Sequence, residues 1–374
     1  MNRSTRHFSR LLVAATAGAL LVGSLALLGC GGDVVPAGGS ATTVGGSATT
    51  GGLLTASLTG VGATFPEPLY LEWVGEFVTN VEPGVKVNYQ GIGSGGGIQQ
   101  LTQMTVDFGA SDAPMSDEEI AAAETASGAT VLHIPTVFGA VAVAYSLPDV
   151  TDLKLDQETL ADVFLGTVTT WDDPAIVALN PGVTLPSAAI SVVHRSDSSG
   201  TTSIFTGYLT KVSPAWSDTV GAGKDVRWPV GIGGQGNDGV AAVIQQQEGS
   251  IGYVELAYAT EVGLPTVSLR NQAGSFIAPS LASTSAAGAG VDFPADLRFS
   301  LSDSPASEAY PIVGATWILA YDSMADPAKA EALRAFLTWA LNEGAPVAED
   351  LGYAPLPDDL RALALAKVDE VGSR

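Results

Sequence analysis

Hydrophobic and polar residues alternate along the chain with two different periods. Val85, Val87 and Tyr89 are separated by polar residues, and this period of two predicts a half-buried strand. Residues 66–79 carry apolar side chains every three to four positions behind a proline, which predicts a helix. Segments of both kinds follow one another over most of the chain, and their alternation indicates an α/β fold.

Two long apolar runs, Val131–Leu147 and Ile312–Tyr321, predict buried strands that carry the chain between two lobes. A chain of 374 residues is long enough for two hydrophobic cores. If both runs pass from one lobe to the other, the lobes are discontinuous in the sequence. One lobe then comprises residues 54–137 plus 308–374, and the other comprises residues 138–307.

The N-terminal segment, residues 1–30, is typical of a targeting signal and is set apart from the fold. Three arginines precede an apolar run over residues 11–28, and Gly29 lies directly before Cys30, the only cysteine of the chain. This order predicts signal cleavage and lipid attachment at Cys30. The alternative is a transmembrane helix followed by an incidental cysteine. Residues 31–53 have the composition of a flexible Gly/Ser/Thr linker.

Composition and charge exclude several classes of function. The chain has 16 basic and 39 acidic residues, a net charge of −23 that opposes binding to nucleic acid or to an anionic membrane surface. A hydrophobic content of 46% excludes a disordered acidic protein. With Cys30 lipidated, no thiolate metal site remains, and His133 and His194 lack the spacing of zinc ligands. We therefore expect neither a metal nor a cofactor.

Three segments place glycine or small hydroxyl residues directly before a helical pattern. The first N–H groups of a helix are unpaired and carry partial positive charge, and short side chains let an anion approach them. Any one such segment is more simply an ordinary helix cap or turn. Their number favours an anion site formed by Gly62–Pro66, Gly91–Gly97 and Asp197–Thr202.

Arg195 strengthens this interpretation because it follows a strand-like run over residues 190–194 and lies four residues before Ser199. Its planar guanidinium can donate two hydrogen bonds to one tetrahedral anion, and Asp197 is placed to hold it. The alternative is an exposed Arg–Asp pair of little energetic value.

Asp112 is unexpected near a fully ionised anion, because a carboxylate only accepts hydrogen bonds. Phosphate keeps at least one proton at neutral pH and can donate it to this carboxylate, whereas sulfate has none to donate. Asp112 therefore favours phosphate over sulfate or molybdate through an unpaired acceptor and charge repulsion. The alternative is a turn aspartate before Pro114.

Six segments together resemble one known family. They are SLTGVGATFPEPLY, VNYQGIGSGGG, VDFGASDAPMSDE, RSDSSGTTSIFTGYL, WPVGIGGQGNDGVAA and GSIGYVELAYA. In this order they are similar to the phosphate-binding protein of the phosphate-specific ABC transporter, the PstS family, from about Ser57 to about Leu363. The resemblance implies a type II periplasmic-binding-protein fold, in which two α/β lobes joined by two hinge strands enclose phosphate.

The matching positions imply the phosphate contacts. The hydroxyl, amide and guanidinium donors would be Thr64, Phe65, Ser94, Arg195, Ser199, Gly200 and Thr201, Asp112 would accept the phosphate proton, and Asp197 would orient Arg195. The sequence departs from the family pattern at Gly95, where a second serine is usual.

Other functions are less well supported by the sequence. Two GxGxxG matches, which begin at Gly91 and Gly234, are weak evidence for a nucleotide-binding enzyme. A secreted phosphatase or other phosphate-handling hydrolase would need an activated nucleophile, a base or metal ions. Ser199 has no GxSxG elbow around it, and His194 is the only histidine near it in the sequence.

The sequence as a whole predicts an extracytoplasmic solute-binding lipoprotein and not an enzyme. We expect it to capture inorganic phosphate and to deliver it to the membrane permease subunits of an ABC importer. We further expect a monomer that contacts the membrane only through lipid on Cys30.

Overall fold

A computed structural model of the protein describes residues 53–373. The predicted signal segment, the lipidation site Cys30 and all but the last residue of the predicted linker lie outside the described residues. In the described range the strands are β1 Ala56–Gly62, β2 Val85–Gly91, β3 Phe108–Ser111, β4 Val131–Tyr145, β5 Lys154–Leu155, β6 Ser191–Arg195, β7 Ile232–Gly234, β8 Ser250–Glu255, β9 Ser268–Arg270, β10 Phe276–Ile277, β11 Val313–Tyr321 and β12 Ala354–Pro355.

Helices lie between most of these strands, as the alternating pattern predicts. They are α1 Glu67–Glu76, α2 Ser94–Thr102, α3 Asp117–Ser127, α4 Gln157–Leu165, α5 Pro174–Leu179, α6 Gly200–Val212, α7 Pro214–Thr219, α8 Gly236–Gln246, α9 Leu256–Glu261, α10 Leu281–Ala287, α11 Pro327–Asn342, α12 Ala345–Asp350 and α13 Asp358–Glu370. A π-helical turn, Phe77–Val81, extends α1. Within residues 53–373 no helix combines the length and apolar character needed to cross a bilayer.

The main sheet has the strand order β2-β1-β3-β11-β4-β8-β6-β7, and β12 pairs with β4 beside this row. β1 is parallel to β2 and to β3, while β6 is parallel to β7 and to β8. The strands β11 and β4 run antiparallel between these two parallel groups. A separate small sheet has the order β10-β9-β5.

β4 connects the two parallel groups of strands. Its 15 residues are all buried, which explains the nearly continuous apolar run from which the strand was predicted. The first part of β4, Val131–Ala140, pairs with β11, and the last part, Val141–Tyr145, pairs with β8. β11 is also buried at all nine of its residues. Both predicted apolar strands are therefore confirmed.

Buried tryptophans fix the surrounding helices and loops to the sheet. The indole N–H of Trp73 in α1 donates to the Gly344 carbonyl at 2.8 Å, and that of Trp317 in β11 donates to the Leu297 carbonyl at 2.8 Å. A buried N–H without an acceptor would be costly, so these bonds specify the packing as well as stabilise it.

Three strand ends lead directly into the three predicted helix starts. β1 is followed by α1, β2 by α2 and β6 by α6. β6 runs opposite to β1 and β2. The group of β1 and β2 lies beside the first part of β4 and the group of β6 beside its last part, so the carboxyl ends of these strands face each other across the middle of β4. The helices begin there with their unpaired N–H groups. The fold thus brings the candidate residues together where two opposed sets of strand ends face each other.

Candidate functional site

Ser94, Asp112 and Gly200 meet at the centre of the candidate site. The Ser94 hydroxyl accepts hydrogen bonds from the backbone N–H groups of Asp112 and Gly200, each at 3.1 Å. It lies 3.3 Å from the Asp112 carboxylate oxygen Oδ2, to which it donates. The structure therefore brings together three predicted residues that come from separate segments of the sequence.

Two glycine-containing segments pack directly against each other beside this centre. The Gly95 N–H donates to the Ser198 carbonyl at 3.0 Å. A Cβ atom on Gly95 would overlap the Ser198 side chain, and one on Gly200 would lie 2.6 Å from the Asp112 side chain. A side chain at position 95 is thus incompatible with this placement of Ser198.

Arg195 is held in the site by a buried ion pair. Its Nε donates to Asp197 Oδ1 at 2.7 Å and its Nη2 donates to Asp197 Oδ2 at 2.5 Å, while Nη1 donates to Thr201 Oγ1 at 3.3 Å. Three of the five guanidinium N–H groups have these protein acceptors, so two remain for a ligand. Burial favours the neutral form of Asp197, but the hydrogen bonds and charge of Arg195 hold its pKa below the ordinary value.

The turn before α1 is anchored by two tyrosines. The Tyr258 hydroxyl donates to the Thr64 carbonyl at 2.5 Å, and the Tyr353 hydroxyl donates to the Phe65 carbonyl at 2.7 Å. The Phe65 side chain is fully buried. These bonds fix the backbone that carries the Thr64 hydroxyl and the Phe65 N–H, the two groups that were predicted to donate.

Ser199 caps α6 and is fully buried. Its hydroxyl oxygen accepts from the Thr202 N–H at 3.1 Å, and its own backbone N–H donates to the Lys224 carbonyl at 3.0 Å. The amide of Ser199 is therefore already used within the protein. Its hydroxyl proton is the donor that this residue has left to offer.

Asp112 lies in an environment unlike that of Asp197. Only 3% of its surface is exposed, and its Oδ1 accepts from the Thr316 hydroxyl at 2.8 Å. Burial raises the pKa of Asp112 to about 7, although the Thr316 hydrogen bond and the Arg195 charge partly oppose this rise. The carboxyl group is therefore poised between its acceptor and donor forms near neutral pH.

Two residues of the site were not predicted from the sequence. Asn237, in the first turn of α8, donates from its side chain to Thr64 and Thr201. Thr316 interrupts the apolar run of β11. A lone polar residue inside a buried strand signals a hydrogen-bonding role, so Thr316 was detectable in principle.

Neither described histidine has a hydrogen bond to Ser199. The Nε2 of His133 accepts from the Met115 N–H at 3.1 Å, and Nδ1 of His194 lies 2.9 Å from the Arg195 carbonyl. Burial lowers the pKa of His133 to about 4, so it stays neutral at physiological pH. Among residues 53–373 no cluster of three or more His, Cys, Asp or Glu side chains is arranged to hold a metal ion.

Comparison with known proteins places this chain in a family. A family profile described as the PBP superfamily domain matches residues 39–343. The phosphate-binding protein PstS of Pasteurella multocida is 44% identical over 308 residues, which cover 81% of this chain and 87% of the relative. The PstS3 protein of Mycobacterium bovis is 37% identical over 369 residues, 96% of this chain and 98% of the relative. The chain belongs to the PstS family.

Solved structures agree with the family at the level of the fold. A periplasmic phosphate-binding protein, PfluDING, solved with phosphate bound, superimposes with a TM-score of 0.69 at 22% identity, covering 83% of this chain and 93% of that protein. A phosphate-binding protein from Stenotrophomonas maltophilia gives a TM-score of 0.64 at 19% identity, covering 83% and 94%. The predicted periplasmic-binding-protein fold is confirmed.

Proposed function

We propose that this protein is the extracytoplasmic solute-binding component of an ABC importer for inorganic phosphate. In this proposal Thr64, Ser94, Arg195, Ser199 and Thr201 donate hydrogen bonds to the anion, together with the backbone N–H groups of Phe65 and Gly200, while Asp112 accepts the phosphate proton and Asp197 positions Arg195.

One observation supports this function above the others, namely the combination of a fully buried cation with a nearby acceptor. Arg195 keeps two N–H groups for a ligand, and Asp112 has a pKa of about 7. An anion that accepts from the arginine and donates to the carboxylate satisfies both groups at once. Phosphate has this chemistry, whereas sulfate can only accept.

We further propose that the site closes between two lobes, residues 54–137 plus 308–374 and residues 138–307. Ser94 would approach from the first lobe and Gly200 from the second, and the anion would enter between them. The Gly200 N–H and the Ser94 hydroxyl proton, which here are bonded to Ser94 and to Asp112, would then turn to the anion. β4 and β11 would be the hinge strands. Closure excludes water and strengthens the hydrogen bonds to the anion.

A phosphatase activity receives less support from this geometry. Ser199 is engaged as a helix cap, and the hydrogen bonds of His133 and His194 involve other residues. Hydrolysis would require a base that activates a nucleophile. Binding without turnover therefore accounts for the same residues with fewer requirements.

The location of the protein is part of the proposal. The structural neighbour PfluDING is described as a periplasmic phosphate-binding protein. We propose that this chain is likewise extracytoplasmic and that lipid on Cys30 anchors it to the cell membrane as a monomer. We also propose that the phosphate-loaded form contacts the permease subunits of the importer.

Isothermal titration calorimetry with inorganic phosphate, sulfate and glycerol phosphate tests this function. We expect binding of inorganic phosphate at micromolar or tighter Kd, about −8 kcal/mol or better, with much weaker binding of the other two. Phosphate release from the ester, measured over hours, is expected to stay at the background rate. Equal affinity for sulfate, or cleavage of the ester, would overturn the proposal.

A further inference from the structure

Asn237 is a buried polar residue that the phosphate contacts proposed above do not include. It follows Gln235 and Gly236 in the first turn of α8, and its surface is fully buried. Gly236 adopts a positive φ of 71°, and its N–H donates to Asp197 Oδ1 at 3.1 Å. The start of α8 therefore lies against the residues that form the site.

The side-chain amide of Asn237 uses both of its N–H groups within the protein. Nδ2 lies 2.9 Å from the Thr64 hydroxyl oxygen and 3.3 Å from that of Thr201. Its Oδ1 accepts from the Glu255 backbone N–H at 2.9 Å, and this bond fixes which end of the amide faces the two threonines. No amide proton of Asn237 is left for a ligand.

These contacts determine the direction of two hydroxyl protons. The Thr64 hydroxyl oxygen accepts from Nδ2 and also, at 3.3 Å, from the backbone N–H of Asn237. The Thr201 hydroxyl oxygen accepts from Nδ2 and from Arg195 Nη1, each at 3.3 Å. A hydroxyl has two acceptor positions and one donor, so each threonine keeps its proton for a third partner.

Ser94 shows the contrasting case. Its hydroxyl oxygen also accepts two N–H groups, but its proton is directed at Asp112 Oδ2, 3.3 Å away. Without the amide, Thr64 and Thr201 would be free to turn their protons toward other acceptors. The amide is what keeps both hydroxyls as donors.

We propose that Asn237 is a positioning residue of the anion site. It holds Thr64 and Thr201, 137 positions apart in the sequence, as a pair of hydroxyl donors aimed at one bound anion. This inference rests on the proposed function, since the anion is the phosphate assigned to the site above. Asn237 itself does not touch the anion.

Asn180 provides a matched control. It is 3% exposed, its Oδ1 accepts from the Lys154 N–H at 2.8 Å, and its Nδ2 donates to the Lys154 and Ile176 carbonyls at 2.9 and 2.8 Å. Both asparagines thus have one accepted and two donated bonds. Only Asn237 makes its bonds to site hydroxyls, so a purely structural role predicts the same behaviour for both.

The first experiment compares phosphate affinity by calorimetry for wild type, Asn237→Ala and Asn180→Ala, with melting temperatures measured without phosphate. We expect both variants to lose thermal stability, but only Asn237→Ala to bind phosphate about 10- to 100-fold more weakly, the effect of impairing hydrogen bonds to a charged group. Equal phosphate affinities of the two folded variants would overturn the inference alone. A wild-type protein that does not bind phosphate would overturn the proposed function and the inference with it.

A double-mutant cycle with Thr64→Val separates positioning from an independent effect. If Asn237 acts through the Thr64 hydroxyl, the two losses of phosphate affinity will not multiply. The double variant will then bind phosphate at least about fivefold more tightly than the product of the two single losses predicts. Strictly multiplicative losses would contradict the proposal.

Asn237→Asp keeps the test decisive if Asn237→Ala does not fold. This nearly isosteric change replaces a donor by an acceptor that takes the threonine protons. We expect a loss of phosphate affinity, relative to wild type at the same pH, that is larger at pH 8 than at pH 5.5, where the introduced carboxyl is more often protonated. A loss that does not vary with pH would contradict the proposal.

Discussion

The candidate site has a donor side, formed by Arg195 and Asp197, and an acceptor side, formed by Asp112, and the two differ in their electrostatics. On the donor side, Arg195 is paired with Asp197 through two hydrogen bonds, and the pKa of Asp197 falls below its ordinary value. On the acceptor side, the Asp112 carboxyl is hydrogen-bonded only by hydroxyl groups, and burial raises its pKa to about 7. The donor side is permanently charged, whereas the acceptor side can hold or release a proton.

Under the proposed function, this difference lets one site attract an anion and still select among anions. A buried guanidinium with its counter-ion supplies fixed donors at little cost in rearrangement. A carboxyl with a pKa near neutrality makes binding depend on whether the ligand brings a proton. Affinity is thus assigned mainly to the donor side and selectivity to the acceptor side.

Replacing Arg195 tests the donor side most severely. Arg195→Met removes the charged fork and leaves the partly buried Asp197 without its partner, so we expect phosphate affinity to fall about 100-fold to several thousandfold. Calorimetry measures this loss. Arg270→Met is the control, because Arg270 is a partly exposed residue whose pair with Asp156 spans 3.5 Å. A loss of affinity no larger than that of the control would show that the donor side does not supply the affinity.

Gly200→Ala tests how closely the two sides must approach. The added Cβ would lie 2.6 Å from the Asp112 carboxylate oxygen, so we expect phosphate binding to weaken about 10- to 100-fold through overpacking. Gly207→Ala lies in the same helix with no heavy atom within 4 Å of its added Cβ, and it should leave binding unchanged. Equal affinities of the two variants would contradict the close approach.

Asp112→Asn tests how much the buried carboxyl of Asp112 lowers the free energy of unfolding of the phosphate-free protein. The folded pKa of about 7 exceeds the ordinary value of 3.8, so the folded state binds more protons between these pH values. Stability is therefore lost as pH rises from about 4 to 7. We expect the phosphate-free variant to be about 1–3 kcal/mol more stable than wild type at pH 8, with little difference at pH 4.

Chemical denaturation at both pH values measures this prediction. Glu255 is also buried and has a pKa raised to about 8, so the absolute pH dependence has more than one source. The difference between wild type and Asp112→Asn isolates Asp112. A difference that is the same at pH 4 and pH 8 would show that Asp112 has an ordinary pKa.

Thr316→Val is expected to have the smallest effect. It removes the 2.8 Å hydrogen bond that stabilises the ionised form of Asp112, so the pKa of Asp112 should rise further. We expect phosphate affinity at pH 8 to decrease about three- to tenfold, corresponding to one lost hydrogen bond. A titration series from pH 6 to pH 9 should show the deficit, and its absence throughout would separate Thr316 from the acceptor function.

The features that were predictable from the sequence depend on local patterns. The buried strand β4 follows from a nearly continuous apolar run, and the starts of α2 and α6 follow from glycines and hydroxyl residues before a helical pattern. The family resemblance named the candidate site residues. The fold brings them close together in space.

The features that were missed depend on contacts between distant positions. Asn237 bonds to Thr64, 173 residues away, and Thr316 bonds to Asp112, 204 residues away. Neither partnership has a local signature, because each is created by the order of strands in the sheet. The same holds for Ser199, whose amide is occupied by the Lys224 carbonyl.

The ratio of phosphate to sulfate affinity in Asp112→Asn tests the central claim most directly. We expect wild type to prefer phosphate strongly at pH 8 and the variant to lose most of this preference, by about tenfold or more, because an amide can also donate to sulfate. Titration calorimetry of both proteins with both anions gives the ratio. An unchanged preference for phosphate in the variant would contradict the assignment of selectivity to Asp112.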